Sequence, residues 1–134
     1  MVASRQQRQT QKFFEGFAKQ WSRNAKSNFR DFVNIVKIRN DYVTLIAKKY
    51  LKKDSKTLDL GCGSGDLVIK LLQNRFEANG IDFASTMIRK AKALAKRLNL
   101  PEESFAHKSI FDFETNEKFD LISANGVIEY VSED

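Results

Sequence analysis

The run Leu58-Asp59-Leu60-Gly61-Cys62-Gly63-Ser64-Gly65-Asp66 places three of the chain's six glycines within five residues, with a carboxylate on either side. Glycines packed this closely let backbone approach a ligand and adopt positive φ, and a helix starting behind them offers free amide groups. Nucleotide sites use that device. A phosphate-binding P-loop needs a Lys-Ser/Thr pair at the start of the helix, but the turn here continues Gly65-Asp66-Leu67, so that chemistry is excluded. A dinucleotide fingerprint wants its third glycine where Asp66 stands, and Asp59 and Asp66 would repel a pyrophosphate, so a dinucleotide is disfavoured. The bland alternative is a tight turn in some other α/β protein. Cys62, beside a helix start, has the position of a reactive thiol, but no histidine stands near in sequence to serve as base, and a small buried residue is the readier reading. With one cysteine and one histidine, His107, the chain lacks the usual zinc ligands and any internal disulfide. His107 reads as structural. Glu129, after an apolar run, suits either a substrate-facing acid or base or a capping carboxylate.

These groups need elements to hold them. Thr57 to Leu60 is a short β-prone run entering the glycines, and Leu67 to Leu72 resumes helical spacing behind them. A second strand follows over residues 76–82, then a helix over 85–98 with Met87, Ile88, Ala91, Leu94, Ala95 and Leu98 on one side, broken by Pro101. Residues 105–107 form a weak third strand and 119–124 a stronger fourth. Ahead of them, residues 5–28 carry Phe13, Phe14, Phe17 and Trp21 at helical steps, and residues 28–52 repeat Phe29, Phe32, Val36, Val43, Ile46 and Tyr50 at intervals suited to an amphipathic helix. Strands alternating with helices predict right-handed crossovers, a mostly parallel sheet, and a ligand at the carboxyl ends of the strands where their order reverses.

The 134 residues, 42% apolar and 30% charged, suffice for one globular core. The sequence holds no apolar run long enough to span a membrane and opens on a polar stretch unlike a secretory signal, which points to the cytoplasm. The net charge of +6 is divided. Residues 1–53 hold 13 Lys/Arg and 3 Asp/Glu, net +10, and residues 54–134 hold 10 and 14, net −4. The basic front reads first as a solvated helix face and second as a surface for nucleic acid.

The spacing Gly61-x-Gly63-x-Gly65, with Asp59 before it and Asp66 after it, resembles the first motif of the class I S-adenosylmethionine-dependent methyltransferases. The resemblance implies a Rossmann-like core, here its first four strands preceded by two helices, and S-adenosyl-L-methionine as cofactor. Its positive charge suits an acidic turn better than a diphosphate would. Asp59, Gly61, Cys62, Gly63, Ser64 and Gly65 would line the cofactor. Asp82, 23 residues after Asp59, would accept hydrogen bonds from the ribose hydroxyls. Gly80-Ile81-Asp82-Phe83-Ala84-Ser85-Thr86-Met87 is similar to the family's next motif, in which Phe83 and Met87 flank the adenine. Residues 119–131 are similar to the fourth-strand motif and put Asn125 and Gly126 beside the methionine portion. Members often carry an Asp after the third strand for the adenine amino group. Ser109 stands there instead, with the Ile110 amide as a candidate for a ring nitrogen and Asp112 as a substitute acid. Phe14-x-x-x-Ala18-x-x-Trp21 resembles the aromatic entry segment of small-molecule methyltransferases, making Trp21 a pocket residue.

The implied reaction is methyl transfer to a small-molecule acceptor by in-line displacement, with no metal and with Glu129 and Tyr130 the nearest candidates for a base. Two alternatives stay open: an RNA methyltransferase, and a cofactor-binding protein that is catalytically incomplete. Residues 1–53 are expected to be a helical cap and residues 54–134 the cofactor-binding half. The family's sheet has seven strands and only four can be placed, so the expectation is a piece of a longer chain or completion through dimerisation.

Overall fold

The computed structural model describes residues 32–125 and four isolated helical positions, Arg5, Arg8, Gln9 and Lys12. The expected first helix otherwise lies outside the described residues, as do Trp21, Gly126, Glu129 and Tyr130. The elements are α1 (Phe32–Tyr50), β1 (Lys56–Leu60), α2 (Asp66–Gln73), β2 (Glu77–Asp82), α3 (Ser85–Arg97), a 3-10 turn (Glu102–Ser104), β3 (Phe105–His107) and β4 (Leu121–Ser123). All pairings are parallel, in the order β3-β2-β1-β4. The chain therefore steps outward from β1 to β2 to β3, then returns to the other side of β1. That reversal puts the switch point at the carboxyl ends of β1 and β4, as the alternating pattern predicts.

β1 is one of the two inner strands, and Thr57, Leu58 and Asp59 are all buried, as a parallel strand covered on both faces requires. α2 and α3 end by the same device. Arg75 and Asn99 take φ of 67° and 55°, and the Phe76 and Leu100 amides donate to Leu71 and Ala95 carbonyls five residues back. This left-handed stop satisfies the last carbonyls. It also explains why β2 begins at Glu77 and not at Phe76, whose amide is taken up closing the helix. β4 is likewise shorter than its apolar pattern suggests. The Asp120 amide donates to the Lys56 carbonyl at 2.7 Å while its carboxylate accepts from the Lys56 amide at 2.8 Å, so a side chain replaces the ladder at the strand's start.

The core lies between the sheet and the helices and includes Leu67, Val68 and Leu71 of α2, Ile88, Ala91 and Ala95 of α3, and Phe105 of β3. α1 joins it through the fully buried Ala47, with Val43 packed alongside. Asp41 of α1 takes ion pairs from Lys37 at 2.8 Å and from Lys70 of α2, and hydrogen bonds from Lys37 and Lys70 hold its carboxyl below the usual value. Tyr50 departs from its expected place on the packed face. It is 70% exposed at the end of α1, with the Lys49 ammonium 5.1 Å from its ring centre. Ile35, Ile38, Tyr42 and Leu45 also point outward, so α1 is apolar on more than the face it buries.

Candidate functional site

β1 delivers Asp59 and Leu60 into the glycine turn, and β2 delivers Asp82 beside it. The Gly61 and Cys62 amides both donate to the Ile81 carbonyl at 2.9 Å, which stitches the turn to the end of β2. Gly61, Gly63 and Gly65 all have positive φ, at 73°, 55° and 85°. At Gly65 a side chain is excluded twice, by its left-handed φ and because an added Cβ would lie 2.7 Å from the Phe105 ring and 2.9 Å from Ala91. Gly65 begins α2 without a side-chain cap, so the first amides of that helix face the turn, and Asp66 complements the positive helix end. Ser64 donates to Asp66 at 2.6 Å.

Asp82 anchors this arrangement. One carboxylate oxygen accepts from the Gly63 amide at 2.9 Å and the other from the Ala84 amide at 2.8 Å. The Phe83 amide also bonds the carboxylate, and with about four lone-pair sites it retains capacity for a ligand hydroxyl. Burial raises its pKa above the ordinary carboxylate value, opposed by the Ala84 and Gly63 bonds and by the charge of His107. Asp59, 5% exposed, faces Ser123 across the β1–β4 register, and the Ser123 hydroxyl donates to its Oδ1 at 2.8 Å. Burial pushes Asp59 up to about 7, with the Asp82 charge adding to the rise and the Ser123 bond opposing it. Two buried carboxylates beside a cradle of backbone amides can fix a ligand that carries hydroxyls and positive charge.

Cys62 is buried against Gly80, where a Cβ would come within 2.7 Å of the cysteine Cβ. Burial, with the charges of Asp59 and Asp82, pushes its thiol well above the usual value, which disfavours the thiolate that nucleophilic chemistry needs and fits a packing role against Gly80. Asn125, two residues beyond Ser123, has a buried Nδ2 with no hydrogen-bond partner among the described residues. An unpaired buried donor at the switch point is what a ligand carboxylate or hydroxyl would satisfy.

The adenine side is looser. Phe83 is half-buried after Asp82, and its carbonyl accepts from His107 Nε2 at 3.0 Å, which requires a proton on that nitrogen. Met87 is 1% exposed on the core side of α3. Ser109, Ile110 and Asp112 lie together in a turn in which the Asp112 amide donates to the Ser109 carbonyl at 3.2 Å and the Phe111 amide to the Ser109 hydroxyl at 3.2 Å. The Asp112 side chain is exposed.

Three residues gain a part that the sequence reading did not give them. Ser123 is the polar position in the fourth-strand run, and its pairing with Asp59 emerges only from register. Gly80 makes room for Cys62. His107 holds the Phe83 backbone, and its exposure beside the end of β2 follows from the pairing of His107 with Asp82.

A glycine turn and paired carboxylates at the switch point of a parallel sheet define a Rossmann-like ligand-binding domain. The methyltransferase-domain family matches residues 51–134, and the chain belongs to that family. It is 33% identical over 121 residues to the malonyl-[acyl-carrier protein] O-methyltransferase of Acetivibrio thermocellus, covering 84% of this chain and 39% of the relative. It is 28% identical over 120 residues to the ubiquinone biosynthesis O-methyltransferase of Rickettsia bellii, covering 88% and 49%. Among solved structures, the magnesium protoporphyrin IX methyltransferase of Synechocystis PCC 6803 with bound SAM superposes with a TM-score of 0.78 at 22% identity, covering 98% of this chain and 67% of that one. The chain spans about a third of the length of several curated relatives it matches. Among the described residues no helix is long and apolar enough to cross a membrane, and no cluster of His, Cys, Asp or Glu could hold a metal ion.

Proposed function

We propose that the chain binds S-adenosyl-L-methionine at the glycine turn and belongs to an enzyme that methylates a small-molecule acceptor. The observation that carries this reading is the anchorage of Asp82, whose two oxygens hold the Gly63 and Ala84 amides and so aim a buried carboxylate at the place a ribose would take. The residues fit the cofactor in two further respects. Asn125 offers an unpaired buried donor on the β4 side, and Asp59 offers a carboxylate for positive charge. When bound, S-adenosylmethionine supplies a methyl group on a sulfonium that is already an activated leaving group. The protein's part is to bind and align: Asp82 and Phe83 toward the ribose and adenine, the turn amides and Asn125 toward the amino acid end.

Some of the structural neighbours hold SAM or S-adenosylhomocysteine, among them the magnesium protoporphyrin IX methyltransferase and a methyltransferase of Thiobacillus denitrificans, which supports the cofactor. The relatives matched over most of this chain are named for malonyl-[acyl-carrier protein] and ubiquinone biosynthesis, which favours a small acceptor over RNA, although a 23S rRNA (uracil) methyltransferase is also matched over 72 residues. The acceptor side and any base, for which Glu129 and Tyr130 remain the candidates, belong to the part beyond β4, completed by further chain or by a second copy. Calorimetric titration with S-adenosylhomocysteine tests the reading. Binding that is lost in Asp82→Ala is expected; a folded chain that does not bind, or an Asp82→Ala variant that binds as well as the parent, overturns it.

A further inference from the structure

Ser123 and Asp59 are register partners on adjacent parallel strands, and both are buried at the switch point. The Ser123 hydroxyl donates to Asp59 Oδ1 at 2.8 Å, while the other carboxylate oxygen takes no hydrogen bond among the described residues. The groups around Asp59 are of one sign or neutral. Asp82 faces it from the end of β2, the Cys62 thiol from the turn and the neutral Ser123 from β4; no cation among the described residues pairs with it. A buried carboxyl placed beside a second one, with a single neutral donor, holds its proton until a positive charge arrives. The cofactor reading points to the same place, because Asp59 stands two residues before Gly61, at the entry to the turn proposed above to receive the amino acid end of the cofactor.

We propose that Ser123 is a positioning residue that sets the proton affinity of Asp59, and that cofactor binding is thereby linked to release of the Asp59 proton. The inference rests on the cofactor reading above and adds a residue and a linkage to it. Two consequences follow from the physical arrangement. The ammonium of the ligand's amino acid tail favours the ionised carboxylate, so affinity rises with pH until Asp59 of the free chain is ionised, about pH 7, and is level beyond it. The Ser123 bond stabilises the ionised form, so deleting it moves that levelling point to higher pH.

S-adenosylhomocysteine affinity measured by calorimetry from pH 5.5 to 9, with the Asp59 carboxyl carbon followed by NMR in the free chain, tests this. The wild-type chain is expected to gain up to about tenfold in affinity per pH unit below the midpoint, the limit for one linked proton. Ser123→Ala should shift both the affinity profile and the carboxyl titration upward in pH, Ser123→Thr should restore them, and Asp59→Asn should abolish the pH dependence. Binding with pH-independent affinity, or a Ser123→Ala profile superimposed on that of the wild type, overturns the proposal and leaves the cofactor reading intact. A folded wild-type chain that fails to bind at every pH overturns the cofactor reading and this inference with it. Should Ser123→Ala fail to fold, the Asp59→Asn profile and the wild-type carboxyl titration still decide.

Discussion

The turn after β1 and the turn after β3 sit at the same end of one sheet, yet they are built differently. In the first, amides of Gly61 and Cys62 share one carbonyl, Gly63 is held by Asp82, and Gly65 is wedged against Phe105 and Ala91. In the second, Ser109 bonds to its own neighbours two and three residues on, and Asp112 points to solvent. One turn is tied to three other elements, while the other is joined to β2 by one bond, from the Lys108 amide to the Asp82 carbonyl at 3.0 Å, and residues 109–112 bond among themselves. A ligand spanning both would draw most of its affinity from the first, because groups already fixed lose little entropy on binding.

That contrast can be broken by substitution. The largest effect is expected from Asp82→Ala, which removes two charge-assisted hydrogen bonds worth about 1.5–3 kcal/mol each and leaves the Gly63 amide without its partner. S-adenosylhomocysteine affinity should fall by at least roughly a hundredfold, and the thermal midpoint should drop as well. Gly65→Ala comes next. A Cβ at φ 85°, 2.7 Å from the Phe105 ring, combines left-handed strain with overpacking, for a loss of about 2–4 kcal/mol read from urea unfolding. A neutral result at either position would remove the distinction between the two turns.

Asp59 gives a smaller and pH-dependent effect. Its folded pKa of about 7 lies above the ordinary 3.8, so the folded chain keeps a proton that the unfolded chain has lost. The stabilising contribution is complete below the ordinary value and is lost as pH rises toward 7. Asp59→Asn should therefore raise the thermal midpoint at pH 8 by roughly 5 °C while changing it little at pH 4. A gain equal at both pH values would mean that the proton plays no part. The smallest effects belong to the second turn. Ser109→Ala and Asp112→Asn should each change S-adenosylhomocysteine affinity by less than about threefold, and a tenfold loss at either would show that the adenine side is as firmly built as the glycine side.

The same contrast governs what the sequence reveals. The glycine turn, Asp59 and Asp82 are legible because backbone conformation and buried charge restrict which residues can stand there. The strand order is given by the register, whereas α2 and α3 are legible from apolar period and from Pro101, and the parallel pairing follows from alternation. Ser123 is not, because a serine in an apolar strand gains its meaning only from the residue opposite, which register decides. Tyr50 misleads for a related reason: an apolar residue at helical spacing marks a face, and the packing of α1 on α2 covers that face at Val36, Val43 and Ile46 but not at the helix end. Residues 109–112 have neither period nor glycine, so only their hydrogen bonds describe them.

The contact between Cys62 and Gly80 has a practical consequence. The single thiol of the chain is sealed between the glycine turn and β2, and burial holds it protonated. An alkylating reagent can reach it only when the turn lifts from the strand, so the rate of modification counts those openings directly. Labelling this one atom would act as a clock for the motion of the site, and ligands that close the turn would slow it in proportion to their occupancy.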